Sequence, residues 1–160
     1  MAGEMNRRIF EPSKSKLGDM DAKYAVLIVY LGMGILGIAF GYIAFLVPLI
    51  IYFIDKENQF IAFHAMQAFL LGLTMTIISI ILGIISAVVV ASAITGAAVL
   101  SPYAWGAGVG AILAISAIGT VIGIIFLIFA IIALVKAMKY EIYEIPLFGK
   151  AAEKIVFKTS

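Results

Sequence analysis

The sequence predicts an all-α integral membrane protein: a four-helix bundle with a short first helical hairpin and a C-terminal interfacial amphipathic helix. Three observations carry this. The 160 residues are 64% hydrophobic and only 12% charged, with a mean hydropathy of +1.19. A soluble domain is about half apolar and about a quarter charged, and a fold of this size has too little interior to hide the excess. The apolar runs are also continuous, without the alternation of a barrel strand, and longer than soluble core helices need. Finally, the charges are segregated. None falls between Lys23 and Asp55, and none between Glu57 and Lys136.

Composition excludes several function classes. A net charge of +2 without a basic helix or zinc spacing gives no case for a nucleic-acid partner. There is no cysteine and one histidine, and no acidic residue lies between Glu57 and Glu141. No buried acid–base pair, metal cluster or nucleophile–base dyad can then form within the spans, so neither catalytic residues nor a metal or cofactor is expected. No cleavable signal is expected either, because the first apolar run starts only after Lys23 and is too long for a signal core.

Residues 1–21 read as a mobile polar arm, in which Arg7, Arg8, Lys14 and Lys16 oppose Glu4, Glu11, Asp19 and Asp21. The apolar run from residue 24 to 54 exceeds the roughly 20 residues that span a bilayer. It holds Gly32, Gly34, Gly37 and Gly41, then Pro48. It is either one long kinked helix or a tight hairpin turning near Gly37 to Tyr42, with helices over about 22–38 and 42–54. Charge placement favours the hairpin. Of the eleven lysines and arginines, five precede residue 24, one is Lys56 and five follow from Lys136. The positive-inside bias puts both ends in the cytoplasm, which needs an even number of crossings. Arms of about 15 residues, some 22 Å each at 1.5 Å per residue, are short. They are re-entrant or thin the bilayer locally. Asp55, Lys56 and Glu57 read as a solvated cytoplasmic turn.

A third helix is expected over about 59–91. Ala65, Ala68, Gly72, Thr76, Ser79, Gly83 and Ser86 fall on one stripe, and small residues so spaced let helix backbones approach in lipid. The uncharged connection from Ser92 to Gly106 holds Pro102, Tyr103 and Trp105, as an interfacial aromatic belt does. A fourth helix over about 107–138 carries two small stripes, one with Gly110 and Ala114 and one with Gly119 and Gly123. Residues 139–160 form the tail. There Phe148, Ala151, Ala152 and Ile155 share a helical face away from Lys150, Glu153 and Lys154, the pattern of a helix lying on the membrane or on the helix ends.

His64 and Gln67 stand one turn apart at the start of the third helix, so they share a face. They either line a cytoplasm-facing cavity or bond neighbouring helices and the tail. The second reading makes them anchors for the tail, through a tail carbonyl or Glu153.

Phe63, His64, Ala65 and Gln67, with Lys139, Tyr143, Pro146, Gly149, Ala152, Glu153 and Lys154, form two blocks. Together they resemble the family of the twenty-kilodalton subunit of the chloroplast Tic translocon and its bacterial and archaeal relatives. The resemblance covers about residues 22–157 and implies a four-helix membrane protein, with protein transport as its role in the plastid branch. The expectation is therefore a non-catalytic multi-pass protein in the plasma membrane of a bacterium or archaeon, both termini cytoplasmic. Its partners are the lipid bilayer and membrane proteins or further copies of itself, within a protein-transport complex or alone. The rival expectation is a small channel or carrier whose path is lined by His64 and Gln67.

Overall fold

A computed structural model of the chain describes residues 9–99 and 103–157. The readings made above for Glu4, Arg7, Arg8 and Pro102 concern residues outside that set. The described chain is helical: α1 is Ala22–Phe40, a 3-10 turn follows at Gly41–Ile43, then come α2 at Leu46–Ile54, α3 at Gln59–Val99, α4 at Tyr103–Ala137 and α5 at Phe148–Val156. Strand pairing among these residues is confined to two isolated bridges, Ile9 with Glu141 and Lys14 with Asp21.

The expected all-helical class is what the structure shows, while the four-helix bundle is finer than its helices support. Two helices, over Gln59–Gly96 and Trp105–Ala137, are long and apolar enough to cross a membrane; the apolar stretch Ala22–Gly37 is shorter, and α2 has nine residues. The chain divides into two compact units. One takes the chain up to Thr74 and from Leu127 onward; the other is Met75–Phe126.

In the first unit the opening turns of α3 are the core. Every residue from Phe60 to Ala68 is buried, the pattern of a helix covered on all sides. α1 contributes Ala22, Ala25, Val26, Val29 and Tyr30, all buried, at the three- and four-residue spacing of one helix face. α1 and α2 pack against each other across the turn at Gly41–Ile43. Gly41 adopts φ 55°, ψ −115°, a region glycine reaches without a Cβ clash. Pro48 falls in the first turn of α2, where its missing N–H breaks no helical bond. The antiparallel register sets Gly32 against Val47 and Gly37 against Ala44.

Residues 9–21 are not a free arm. Ser15 N–H donates to the Met20 carbonyl (2.8 Å) and Ala22 N–H to that of Ser13 (2.9 Å), with Gly18 and Asp19 at positive φ turning the chain. α5 does not lie free on a membrane by its apolar face. Gly149, Ala152 and Val156 are its buried residues, and Ala152 and Val156 join Ala62, Phe63, Met66 and Ile142 in one core cluster. The buried face is thus rotated from the expected one, and Ile155 stays 39% exposed.

The second unit is an antiparallel pairing of α3 and α4. Ala93 meets Gly108 and Leu82 meets Gly119. Its outward side chains are large and apolar, including Ile84, Val88, Leu113 and Val121, each more than half exposed. Three of its hydroxyls turn back on their own helix, Ser92 to the Val88 carbonyl and Thr120 to that of Ser116 (both 2.8 Å), and Thr95 to that of Ala91 (2.9 Å). In lipid, polar groups must be satisfied within the segment in just this way.

Candidate functional site

Polar chemistry inside the first unit gathers on the face of α3 that carries His64 and Gln67. Both side chains are fully buried. Gln67 Oε1 accepts the Ile145 N–H at 3.0 Å, and its Nε2 donates to the Tyr143 carbonyl at 3.1 Å and to the Tyr30 hydroxyl at 3.2 Å. The amide orientation is forced, since Ile145 offers only a donor and Tyr143 only an acceptor. A single side chain thus does for residues 143–145 what a neighbouring strand would do. Tyr30 passes the network on, its hydroxyl 3.4 Å from His64 Nδ1. The imidazole sits among Tyr30, Phe60 and Phe63, with ring centroids 4.9 to 6.1 Å away. Among the described residues its Nε2 meets no partner in full hydrogen-bond geometry.

The structure therefore brings His64, Gln67 and the backbone of Tyr143 together. Pro146 is adjacent but exposed, and Glu153, half-buried on α5, makes no hydrogen bond to His64 or Gln67. Gly149 takes part by lacking a side chain. A Cβ there would stand 2.6 Å from Glu144 Cα and 3.0 Å from Gln67 Oε1.

Of the small residues read as packing faces, Gly72 backs onto Met33 and Phe45, Gly119 onto Leu82 and Gly123 onto Met75, whereas Gly83 and Gly110 have open space above them. Ser79 is half-buried and Ala114 exposed. Among the described glycines of α3 and α4, Gly108, which no stripe singled out, has the closest neighbour on the other helix. A Cβ there would meet that of Ala93 at 2.4 Å.

A second polar cluster was not legible. Asp55 is not solvated: it is 1% exposed and accepts the Ser15 hydroxyl at 2.5 Å and the Lys16 N–H at 2.7 Å. Asn58 Nδ2 donates to Ser13 Oγ (3.0 Å), and its Oδ1 accepts the Ile61 N–H (3.3 Å) as the N-cap of α3. Lys16 pairs with Glu57 at 2.6 Å, and its hydrogen bond holds the Glu57 carboxyl below the usual range. The only signal in sequence was the acid itself at the end of an apolar run; its partners lie about 40 residues away in the chain.

The third element is Tyr140. Glu141 N–H donates to the Lys136 carbonyl and Tyr140 N–H to that of Ala137. These two bonds make a Schellman cap whose left-handed position normally takes glycine. Tyr140 occupies it at φ 59°, at a cost of roughly 1–2 kcal/mol. Its side chain accounts for its presence. The ring packs on Phe60 at 5.3 Å, the hydroxyl donates to Asp21 at the start of α1, and its carbonyl accepts the Phe10 N–H (2.9 Å). Burial first, then the bond to Asp21, pushes the phenol up to about 12. A folded value above the unfolded one, about 10, means stability present below pH 10 and lost as pH rises toward 12. Thermal unfolding of the chain in detergent should show that loss, and Tyr140→Phe should flatten it. An equal slope in the two proteins would remove the assignment.

The model of the MamF/MmsF family, the magnetosome magnetite crystal formation protein family, matches residues 21–152. This corrects the Tic translocon resemblance drawn from the two sequence blocks. The protein-transport role that rested on it has no other support. No curated protein and no solved structure matches the chain.

Proposed function

The chain belongs to the MamF/MmsF family of magnetosome magnetite crystal formation proteins, and we propose that it is a non-catalytic membrane protein of the membrane enclosing the crystal. It acts there by helix packing with lipid, with neighbouring proteins or with further copies of itself. One observation carries the reading. From Gly72 to Val135 the chain has no acid, base, histidine or cysteine, its large outward side chains are apolar, and its two helices are long enough to cross a bilayer. Such a hairpin offers no carboxylate to an iron ion. Its influence on a crystal runs through the membrane and its protein assembly. Gly83 and Gly110, with open space above them, are where another helix fits closely.

In this reading α3 and α4 each cross once, and both chain ends lie on the cytoplasmic side. The Phe10–Tyr140 bond and the grip of Gln67 on residues 143–145 support one side for both ends. The lysines and arginines support the cytoplasm. The magnetosome membrane takes the place of the plasma membrane expected from sequence.

The test is a deletion in a magnetite-forming bacterium together with a fluorescent fusion of the full chain. The fusion should follow the row of crystals, and the deletion should shift the crystal size distribution in electron micrographs. Crystals of unchanged number and size, with the fusion spread over the whole cell envelope, would overturn the reading.

A further inference from the structure

The α1–α2 hairpin has both feet on one side. Its start, Asp21, bridges to Lys14 and accepts from Tyr140. Its end, Asp55, accepts from Ser15 and from the Lys16 N–H. The same short segment therefore holds both feet. From Gly41 to Asp55 the return limb is about 21 Å long at helical rise, which from feet at the outer edge of the headgroup layer reaches about half of a bilayer roughly 40–45 Å thick with its headgroups.

The tip is unlike a turn made for water. Such turns use Gly, Pro, Asn, Asp and Ser; this one reads Phe40–Gly41–Tyr42–Ile43–Ala44–Phe45. Three of its backbone N–H groups bond within the turn. Gly41 N–H donates to the Gly37 carbonyl, Ala44 N–H to that of Gly41 (3.3 Å) and Val47 N–H to that of Ala44 (3.1 Å). Lipid demands this of any backbone it surrounds. The outward side chains Ile35, Phe40, Ile43, Ile50 and Phe53 are each more than half exposed. At the feet the pattern changes to that of a headgroup layer. Tyr24 is 47% exposed, with Lys23 Nζ 5.2 Å from its ring centroid.

We propose that this hairpin is a re-entrant wedge seated in the acyl chains of a single leaflet. It enters and leaves from the side of the polar arm, and its tip stops near the bilayer midplane. Such an insertion adds cross-section to one leaflet and none to the other, which favours a membrane convex toward the arm. The wedge does not depend on any role in crystal formation.

The test uses the full chain in vesicles of phosphatidylethanolamine and phosphatidylglycerol. Trp105 is the only tryptophan, so Phe40→Trp in a Trp105→Phe background reports on the tip alone, and Ile43→Trp serves as a second probe. Quenching by lipids brominated along the acyl chain should be strongest with bromines near the chain ends. Strongest quenching by bromines near the headgroup would mean a hairpin lying flat and would overturn the proposal. So would the absence of quenching by any brominated lipid, which would mean a face covered by protein. The chain has no cysteine, so Gly41→Cys can be probed cleanly. Its modification by a membrane-impermeant thiol reagent from the side opposite the arm would show a full crossing and overturn the wedge.

Discussion

Gln67→Leu should release the segment that follows α4 and, with it, α5. Leucine fills nearly the same space but offers nothing to the Ile145 N–H and the Tyr143 carbonyl, which Gln67 holds at 3.0 and 3.1 Å. Stranding two such groups costs about 1–3 kcal/mol each when they stay buried, so we expect a loss of about 2–4 kcal/mol. The chain escapes part of that cost by letting the segment open to water. The opening equilibrium should rise on the order of a hundredfold, at about 1.4 kcal/mol per tenfold. Trypsin reads this directly, because Lys150 and Lys154 are exposed on α5 yet resist cleavage while the helix stays folded. Gln67→Glu should fall between. Its carboxylate still accepts from Ile145 and repels the Tyr143 carbonyl, and protonation at low pH restores a donor. Digestion of Gln67→Leu at the rate of the unaltered chain would show that the amide does not hold the tail.

That anchor was half legible in the sequence. A glutamine carried into an apolar helix needs partners, and the tail was the nearest polar segment on the expected cytoplasmic side. What could not be read was which tail groups it meets, or that Tyr30 links it to His64. Tyr30 alone hinted at this, as a phenol inside the apolar run of α1 that must find a hydrogen bond when buried. The order in residues 9–21 is hidden from local sequence for a related reason. Ser13, Lys14, Ser15 and Lys16 are common loop residues, and their partners Asp55, Glu57 and Asn58 lie 39 to 45 residues on. Local pattern has no access to contacts at that separation. The α1–α2 turn was legible because its causes are local, in a glycine able to take φ 55° and a proline fitted to a first helical turn. For α5 the amphipathic pattern announced a buried face, but the pattern is the same whether lipid or protein covers it. The two blocks around His64 and Tyr143 meet in the fold, where Gln67 bonds the Tyr143 carbonyl and the Ile145 N–H. They were assigned to the wrong family, which the match over residues 21–152 corrects.

Gly149→Ala tests the same site from its other side, and here two effects of opposite sign compete. Glycine in a helix interior is about 1 kcal/mol worse than alanine, and Gly149 is the second residue of α5, so propensity alone should tighten α5 by less than that. Against this, the new Cβ would stand 2.6 Å from both Glu144 Cα and Cβ. Those atoms belong to the segment that Gln67 clamps, so they cannot swing away as the end of a flexible side chain could. Overpacking of this kind costs typically about 1–3 kcal/mol, occasionally more, and the contact lies at its severe end. We expect the clash to win and tryptic cleavage at Lys150 and Lys154 to quicken; slower cleavage would mean that α5 shifts freely and that propensity decides. The double variant then separates a shared mechanism from two independent ones. Once Gln67→Leu has freed residues 143–145, the alanine has little left to collide with. Its own cost should largely vanish, leaving a coupling of about 1 kcal/mol or more, where groups more than about 10 Å apart would simply add. Additive costs would mean that Gly149 and Gln67 secure the tail separately, despite the 3.0 Å that would divide the added Cβ from Gln67 Oε1.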